Sequence, residues 1–246
     1  MRILGVIPSR YGSTRFPGKS LHPICGRPLV AWVVDAVKRA KRLDDVIVAT
    51  DDERIAAAAR AAGATAAMTP SDLPSGTDRV ACAANPAPDD IVINIQGDEP
   101  LIDPGLIDAL ASKLADNPGW QMATAATPIT TMEDLMARTV VKVVVDRDDG
   151  ALYFSRLPIP CRRDGDPDLS SGLYLRHIGL YAYRGDFLRK MVAEPPCALE
   201  KTESLEQLRA LHMGARIAVL RTAQAGVGVD TPEDAVKVEA LLKARI

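Results

Sequence analysis

Three basic residues lie close together near the amino terminus of this 246-residue chain, at Arg10, Arg15 and Lys19. They share the segment 10–19 with two glycines, directly after the apolar run 3–7. Because such a run is typical of a strand, the segment should lie at a strand's carboxyl end, where open α/β sheets bind ligands. Glycines let backbone N–H groups approach a polyphosphate closely. The pattern therefore predicts a basic loop that binds an anion, such as the phosphates of a nucleotide.

The spacing in the basic loop differs from that of a Walker A motif, which has about four residues between its first glycine and its Gly-Lys-Ser/Thr ending. Here five residues separate Gly12 from Gly18. Pro17 also lacks the N–H that a phosphate cradle would use, and Pro23 follows too soon for Lys19 to begin a long helix. These features disfavour a P-loop ATPase. A solvated run of charge remains the alternative to an anion site.

Acidic residues are predicted at the same sheet edge. Asp98 and Glu99 follow the apolar run 91–95, and carboxylates there suit Mg²⁺, which prefers a few carboxylates together with phosphate oxygens and water. Asp230 precedes a predicted helix, where a carboxylate usually only stabilises the helix start, yet its position could bring it beside Asp98. Acidic groups facing the basic loop would suit metal-assisted displacement at phosphorus. The alternatives are an acidic turn and a helix cap.

Further polar residues could contact a base and a second substrate. The segment 75–79 offers hydroxyls and a guanidinium that could read a base edge, or could cap a helix beginning near Asp78. In the second half, the side chains best suited to an anionic, hydroxyl-rich substrate are Arg156, Arg176, His177, Glu206 and Gln207. Alternatively, His177 is a satisfied core histidine, and Glu206 with Gln207 lies on the solvated face of a helix.

The composition is that of an ordinary globular protein, with 47% hydrophobic and 25% charged residues and a formal charge of −2. That charge gives no general attraction to nucleic acid or to an anionic membrane. The cysteines are widely separated and form no zinc-site pattern. No apolar run approaches the roughly 18 residues that span a bilayer, and the chain opens on a strand rather than a signal peptide. We therefore expect a cytoplasmic protein.

Hydrophobic periodicity predicts the elements that position these residues. The predicted strands are 3–7, 46–49, 64–68, 91–95, 122–126, 140–145, 178–183 and 217–220. In the first half they alternate with helices, which predicts an α/β fold with a mainly parallel, doubly wound sheet. The less regular second half predicts a mixed sheet with an excursion. Thr50 and Glu53 have capping-box spacing, and Thr231 with Pro232 forms a standard helix start.

Taken together, these segments resemble the 3-deoxy-manno-octulosonate cytidylyltransferase (CMP-Kdo synthetase) family almost from end to end. The matching segments are 7–19, 48–51, 75–79, 94–100, 151–156, 176–181, 205–209 and 229–234. The resemblance implies a single nucleotidyltransferase domain over 1–246, with a Rossmann-like fold and a smaller excursion through which the family usually dimerises. It also implies the transfer of CMP from CTP to the acid sugar Kdo, giving CMP-Kdo for lipopolysaccharide biosynthesis, and pyrophosphate.

The resemblance also implies roles for individual residues. The cations Arg10, Arg15 and Lys19 would act with Asp98 in catalysis by holding the triphosphate and stabilising the departing pyrophosphate. The nucleotide would contact Arg10, Ser13, Lys19, Ser75, Thr77, Arg79 and Gln96. The sugar would contact Arg156, His177, Tyr181, Glu206 and Gln207. Asp98 and Asp230 would hold one or two Mg²⁺ ions.

The chain departs from the family pattern at a few positions. Ser20 replaces a common proline, and the pairs 161–162 and 201–202 differ on the presumed sugar side. These changes leave open an 8-amino variant of Kdo. Another acid sugar such as a sialic acid is a further alternative, which the Kdo-type segments 176–177 and 206–207 disfavour. The non-enzymatic alternative is a catalytically silent nucleotide-binding protein with the same fold. The retained charges at both halves of the site argue against it.

Overall fold

A central sheet flanked by helices forms the core of the computed structural model, which describes residues 1–12, 16–223 and 226–244. The strands are β1 (Ile3–Pro8), β2 (Pro23–Ile24), β3 (Arg27–Pro28), β4 (Asp45–Thr50), β5 (Thr65–Met68), β6 (Ile91–Asn94), β7 (Met122–Pro128), β8 (Lys142–Val145), β9 (Ala151–Ser155), β10 (Leu175–Arg184) and β11 (Ile217–Arg221). The helices are α1 (Leu29–Val37), α2 (Glu53–Ala61), α3 (Gly76–Ala84), α4 (Pro104–Ala115), α5 (Met132–Met136), α6 (Gly185–Ala193), α7 (Ala198–Glu203), α8 (Gln207–His212) and α9 (Pro232–Lys243). Short 3₁₀ helices occur at Lys19–Leu21 and Leu169–Ser171.

The strand order in the main sheet is β11-β7-β10-β6-β1-β4-β5. Neighbours pair in parallel, except that β10 runs antiparallel to both β6 and β7. This confirms the predicted α/β fold with a mainly parallel sheet. After β1 the chain builds outward through β4 and β5, and then returns to place β6 on the other side of β1. The direction in which strands are added therefore reverses at β1, and the gap between the loops after β1 and β6 is where open α/β sheets form a ligand-binding crevice.

The sheet is buried on both faces, as parallel sheets usually are. Side chains of β1 alternate between the two faces because successive residues in a strand point in opposite directions. Ile3 and Ile7 pack in the core with α1, α4 and α9. Leu4 and Val6 pack in the opposite core with α3 and α6. Since both cores hold β1, the loop at its carboxyl end leaves a rigid support.

The predicted excursion in the second half is the β8–β9 hairpin. β8 pairs with the first residues of β10 and with β9, outside the main path of the sheet. The predicted strand at 140–145 begins later, at Lys142. In the part of the chain that the structure describes, no helix combines the length and the apolar character needed to cross a membrane.

One of the predicted helix starts is confirmed, and the other is wrong. At α9 the Thr231 hydroxyl accepts from the Asp234 N–H, and the Asp234 side chain bonds back to the Thr231 backbone, forming a capping box. At α2 the N-cap is Asp52 rather than Thr50, and its carboxylate accepts from the Arg54 N–H. Thr50 cannot cap the helix because it is still paired within β4.

Candidate active site

A cavity of about 340 Å³ opens at the crevice between β1 and β6. Several of the predicted site residues line it: Arg10, Lys19, Ser75, Arg79, Gln96, Asp98 and Asp230. They come from four separate segments, and the sheet edge brings these segments together. Ser13 and Arg15 lie outside the described residues, so their predicted contacts stay predictions.

The loops that follow β1 and β6 are pressed against each other at the cavity floor. A Cβ atom at Gly97 would lie 2.7 Å from the Pro8 carbonyl oxygen, so this position has room only for glycine. The basic loop is closed by a hydrogen bond from the Ser9 hydroxyl to the Ser20 hydroxyl, at 2.7 Å. A second closure runs from the Gly18 N–H to the Tyr11 carbonyl, at 3.0 Å. Ser20, which departs from the family's proline, therefore helps to hold the loop.

Lys19 joins the basic loop to both predicted metal ligands. Its Nζ lies 2.6 Å from Oδ2 of Asp98 and 3.4 Å from Oδ1 of Asp230. The Val229 N–H donates to the Asp98 carbonyl at 2.9 Å, which places the residue after it next to Asp98. The structure thus brings two carboxylates, distant in sequence, onto one ammonium group.

Glu99 points away from this ion pair. A Cβ atom built at Gly226 would lie 2.6 Å from its Oε2, so the carboxylate packs against the backbone before Asp230. Burial and then the charge of Asp98 raise the pKa of Glu99 to about 7, although Arg176 acts in the opposite direction. Of the two carboxylates predicted after β6, Asp98 contacts Lys19, whereas Glu99 supports the segment that carries Asp230.

The segment 75–79 both caps a helix and lines the cavity. Ser75 is the N-cap of α3, and its hydroxyl accepts from the Asp78 N–H at 3.2 Å. The helix begins at Gly76, two residues before the predicted start. Arg79 lies one turn further on, is only 3% exposed and donates to the hydroxyl of Thr69. Capping and cavity lining are therefore compatible functions of this segment.

Asp51 connects the basic loop to Arg79. One carboxylate oxygen accepts from the Tyr11 N–H at 3.2 Å, and the other lies 3.3 Å from Nη2 of Arg79. The sequence placed Asp51 in a matching segment but suggested no role for it. The available signal was its position, since it directly follows β4 at the same sheet edge.

Gln96 lies between the cavity and β10. Its Nε2 donates to the Gly179 carbonyl at 2.8 Å, which fixes the orientation of the amide. Gly179 lies within an irregular stretch of β10, where the register against β7 shifts between Ile178 and Tyr181. The irregularity leaves the Gly179 carbonyl available to a side chain.

His177 is a buried histidine with satisfied hydrogen bonding, as the core alternative proposed. Its Nε2 lies 2.9 Å from the Thr124 hydroxyl, and its ring centroid lies 5.0 Å from that of Phe154 and 5.3 Å from that of Tyr181. Burial lowers the pKa of His177 to about 3. Burial also raises the pKa of Tyr181 well above its ordinary value. Both rings are therefore neutral around pH 7.

The lowered pKa of His177 predicts a loss of stability in mild acid. The unfolded chain, with an ordinary histidine pKa of about 6.5, takes up this proton below that pH, whereas the folded protein does not until about pH 3. The contribution is complete above pH 6.5 and decreases as the pH falls, by about 1.4 kcal/mol at pH 5.5. Urea unfolding at about pH 7.5 and about pH 5.5 measures this loss of unfolding free energy. The loss between the two pH values should be smaller in His177→Gln than in the wild type by this amount. Movement of the His177 ring resonances between about pH 8 and 5 would contradict this assignment.

The remaining predicted sugar residues lie outside the cavity lining. Arg156 donates from Nε to the Glu203 carbonyl at 2.6 Å and from Nη2 to the Ser204 carbonyl at 3.2 Å. Glu206, just before α8, accepts from the Thr77 hydroxyl at 2.5 Å. Gln207 is 3% exposed. These residues therefore lie around α7, α8 and β10, and their side chains do not line the cavity beside the basic loop.

Comparison with known proteins identifies the family of this chain. A family model described as cytidylyltransferase matches residues 4–217. The chain belongs to the cytidylyltransferase family. A relative from Bdellovibrio bacteriovorus, named 3-deoxy-manno-octulosonate cytidylyltransferase, is 52% identical to this cytidylyltransferase and aligns over 100% of this chain and 99% of its own. A protein of the same name from Geobacter sulfurreducens is 48% identical over 99% of this chain and 100% of its own.

A solved structure extends the likeness to three dimensions. It is that of CMP:2-keto-3-deoxy-manno-octonic acid synthetase complexed with CTP, and it matches this cytidylyltransferase with a TM-score of 0.92 and 40% identity. The match covers 100% of both chains. The likeness in fold therefore extends over the whole chain.

The donor groups of this cytidylyltransferase fit a magnesium ion shared with a substrate. Among the described residues no cluster of three or more metal-binding side chains occurs. The carboxylates of Asp98 and Asp230 nevertheless lie close together, because both contact the ammonium group of Lys19. Magnesium in nucleotide enzymes is typically held by one or two carboxylates, with phosphates and water completing its shell. Both aspartates line the cavity and are therefore accessible to such an ion.

Proposed function

We propose that this chain transfers CMP from CTP to 3-deoxy-manno-octulosonate, giving CMP-Kdo and pyrophosphate. The observation that carries the proposal is the junction of Arg10, Lys19, Asp98 and Asp230 in one cavity at the sheet's reversal point. Full-length likeness to proteins of that name, and to a synthetase complexed with CTP, supports the choice of substrates. The product would serve lipopolysaccharide biosynthesis.

In the proposed complex, the triphosphate of CTP lies against the basic loop. Arg10 and Lys19 provide positive charge at the cavity wall, with Ser13 and Arg15 proposed to add to it. Ser75, Arg79 and Gln96 line the part of the cavity assigned to cytidine. Arg79 is held by Asp51 and Thr69, so its guanidinium is oriented before the nucleotide arrives. Such preorganisation lowers the cost of binding.

The proposed reaction is an in-line displacement at the α-phosphorus of CTP. The anomeric hydroxyl of the sugar forms the new O–P bond and loses its proton, while the bond to the pyrophosphate oxygen breaks. Negative charge develops on the departing pyrophosphate, where Arg10 and Lys19 are placed to stabilise it. Asp98 and Asp230 would hold Mg²⁺, which supplies charge neutralisation at the phosphates when bound. Positioning and charge thus provide most of the catalysis.

The sugar is proposed to bind toward β10 and α8, beyond Gln96. Arg156, His177, Tyr181, Glu206 and Gln207 remain its proposed contacts. Because His177 and Tyr181 are neutral and buried, they suit hydrogen bonding or support of the pocket rather than charge pairing with the sugar carboxylate. The departures at 161–162 and 201–202 are all exposed, and none of these residues lines the cavity within the described structure. They therefore provide no structural preference for another acid sugar.

The β8–β9 excursion is proposed to form the contact of a homodimer. Leu152 on β9 is 60% exposed, Leu157 just after β9 is 56% exposed, and Leu173 just before β10 is 61% exposed. Grouped exposed apolar side chains are typical of an interaction surface. Light scattering should give the mass of two chains, and Leu152→Asp with Leu157→Asp should lower it. A monomeric wild-type protein would remove the dimer from the proposal.

Pyrophosphate release tests the function directly. Wild-type protein is incubated with CTP and Mg²⁺ together with Kdo, 8-amino-Kdo or N-acetylneuraminate. We expect release with Kdo, and a preference for either other sugar would reassign the acceptor. If CTP binds in calorimetry but no sugar acid gives release, the protein belongs to the silent nucleotide-binding class instead.

A further inference from the structure

Thr77 occupies an unexpected position among the residues predicted to bind the nucleotide. Its neighbours Ser75, Gly76 and Arg79 line the cavity, whereas Thr77 does not appear in the lining that the described residues form. The residue is only 6% exposed and lies in the first turn of α3. Its side chain therefore faces away from the proposed nucleotide, toward the interior behind the cavity wall.

The Thr77 hydroxyl instead contacts a residue that is assigned to the sugar. It donates to Oε2 of Glu206 at 2.5 Å, across 129 positions of sequence. Glu206 is the residue immediately before α8, and it is only partly exposed. A partly buried carboxylate needs such a donor, because leaving it unpaired costs more than the bond itself contributes. Within the described structure, the Thr77 hydroxyl is the hydrogen-bond donor to the Glu206 carboxylate.

The helices around Glu206 depend on contacts of this kind. α7 and α8 have six residues each, and isolated helices of that length are not stable in water. Ser204, between them, has a positive φ of 52°. The position of Glu206 and Gln207 is therefore set by tertiary contacts rather than by the helices themselves.

A buried ion pair fixes the far side of α8. Arg209 donates two hydrogen bonds to the Glu200 carboxylate, at 2.7 and 2.6 Å. Its Nη1 also donates to the carbonyls of Met191 and Glu194, at the end of α6. This clamp anchors the helix body to α6 and α7. The Thr77 bond is the complementary contact, since it ties the start of the helix to α3.

We propose that Thr77 is a positioning residue, which holds Glu206 for the sugar acid and so couples the wall of the nucleotide cavity to the sugar side of the site. The proposal rests on the proposed function, because the role of Glu206 comes from there. A nucleotide bound against Ser75 and Arg79 would restrain α3, and the bond extends that restraint to Glu206. By thermodynamic linkage, CTP then strengthens sugar binding, and the sugar strengthens CTP binding by the same factor.

The test compares Thr77→Val with Thr77→Ser in steady-state kinetics. Valine keeps the shape but removes the donor, so the KM for Kdo should rise about tenfold or more, as expected for a hydrogen bond to a charged group. The KM for CTP should change by less than about twofold. Serine keeps the hydroxyl and should restore most of the sugar KM. Thr65→Val, on the exposed side of β5, is the matched control and should behave like wild type.

Opposite results would overturn the proposal. A raised KM for CTP with an unchanged sugar KM would mean that Thr77 reads the nucleotide. Lower thermal stability with both KM values unchanged would mean that the bond is only structural. A double-mutant cycle of Thr77→Val with Glu206→Met, which removes the acceptor, measures the bond in urea unfolding without turnover. Coupling in that cycle, combined with a wild-type protein that uses no sugar acid, would locate the failure in the proposed function and reject the sugar role of Thr77.

Discussion

Replacing Asp98 by Asn is expected to lower kcat for pyrophosphate release by about 10²- to 10³-fold while leaving the fold intact. The asparagine keeps the size of the side chain and an oxygen that can accept from Lys19, but it removes a charge proposed to hold Mg²⁺. The ion pair with Lys19 is partly exposed to solvent, so its loss should change the free energy of unfolding by no more than about 1 kcal/mol.

Kinetics and circular dichroism on the same preparation separate these effects. Asp164→Asn is the matched control, because that side chain is 87% exposed in the loop before β10. It should retain wild-type turnover. Near-normal release by Asp98→Asn would remove Asp98 from the metal site and leave it as a partner of Lys19 only.

Replacing Lys19 by Met should reduce kcat/KM for CTP by about 10²-fold. Methionine retains the unbranched apolar stem but removes the ammonium that faces Asp98 and Asp230. The triphosphate then loses a cation, and the two carboxylates lose the group that offsets their charge in the free enzyme. Both changes oppose the approach of a polyanion.

Lys190→Met is the control for this substitution, since Lys190 is an exposed lysine of α6 that pairs only with Asp186 among the described residues. Its kcat/KM for CTP should equal that of the wild type. If Lys19→Met also retained full activity, the basic loop would be a solvated run of charge, as the plainer interpretation of the sequence holds.

The sequence predicted most of the elements that position the site, because each of them has a local signal. The apolar runs located β1, β4 and β6, and the order of strands and helices located the parallel sheet. The capping box at Thr231 was also predictable, since both of its residues lie within four positions. The cap at Asp52 was not, because Thr50 had equally good spacing and only the extent of β4 decides between them.

Sequence reasoning anticipated that Asp230 approaches Asp98, but it could not predict contacts that depend on the direction of a side chain. The bond between Thr77 and Glu206 and the contacts of Asp51 with Tyr11 and Arg79 depend on side-chain direction after folding. A spacing rule can place a hydroxyl near the start of α3. It cannot say whether that hydroxyl faces the cavity or the helices behind it.

The strand order has a consequence for how the chain is made. β10 is inserted between β6 and β7, so β7 cannot join the rest of the sheet before the residues of β10, up to residue 184, have emerged from the ribosome. The partners of Lys19 arrive even further apart, at residues 98 and 230. A nascent chain that ends between these two residues therefore carries the basic loop and Asp98 without Asp230. The proposed magnesium site therefore cannot form until residue 230 has been synthesised.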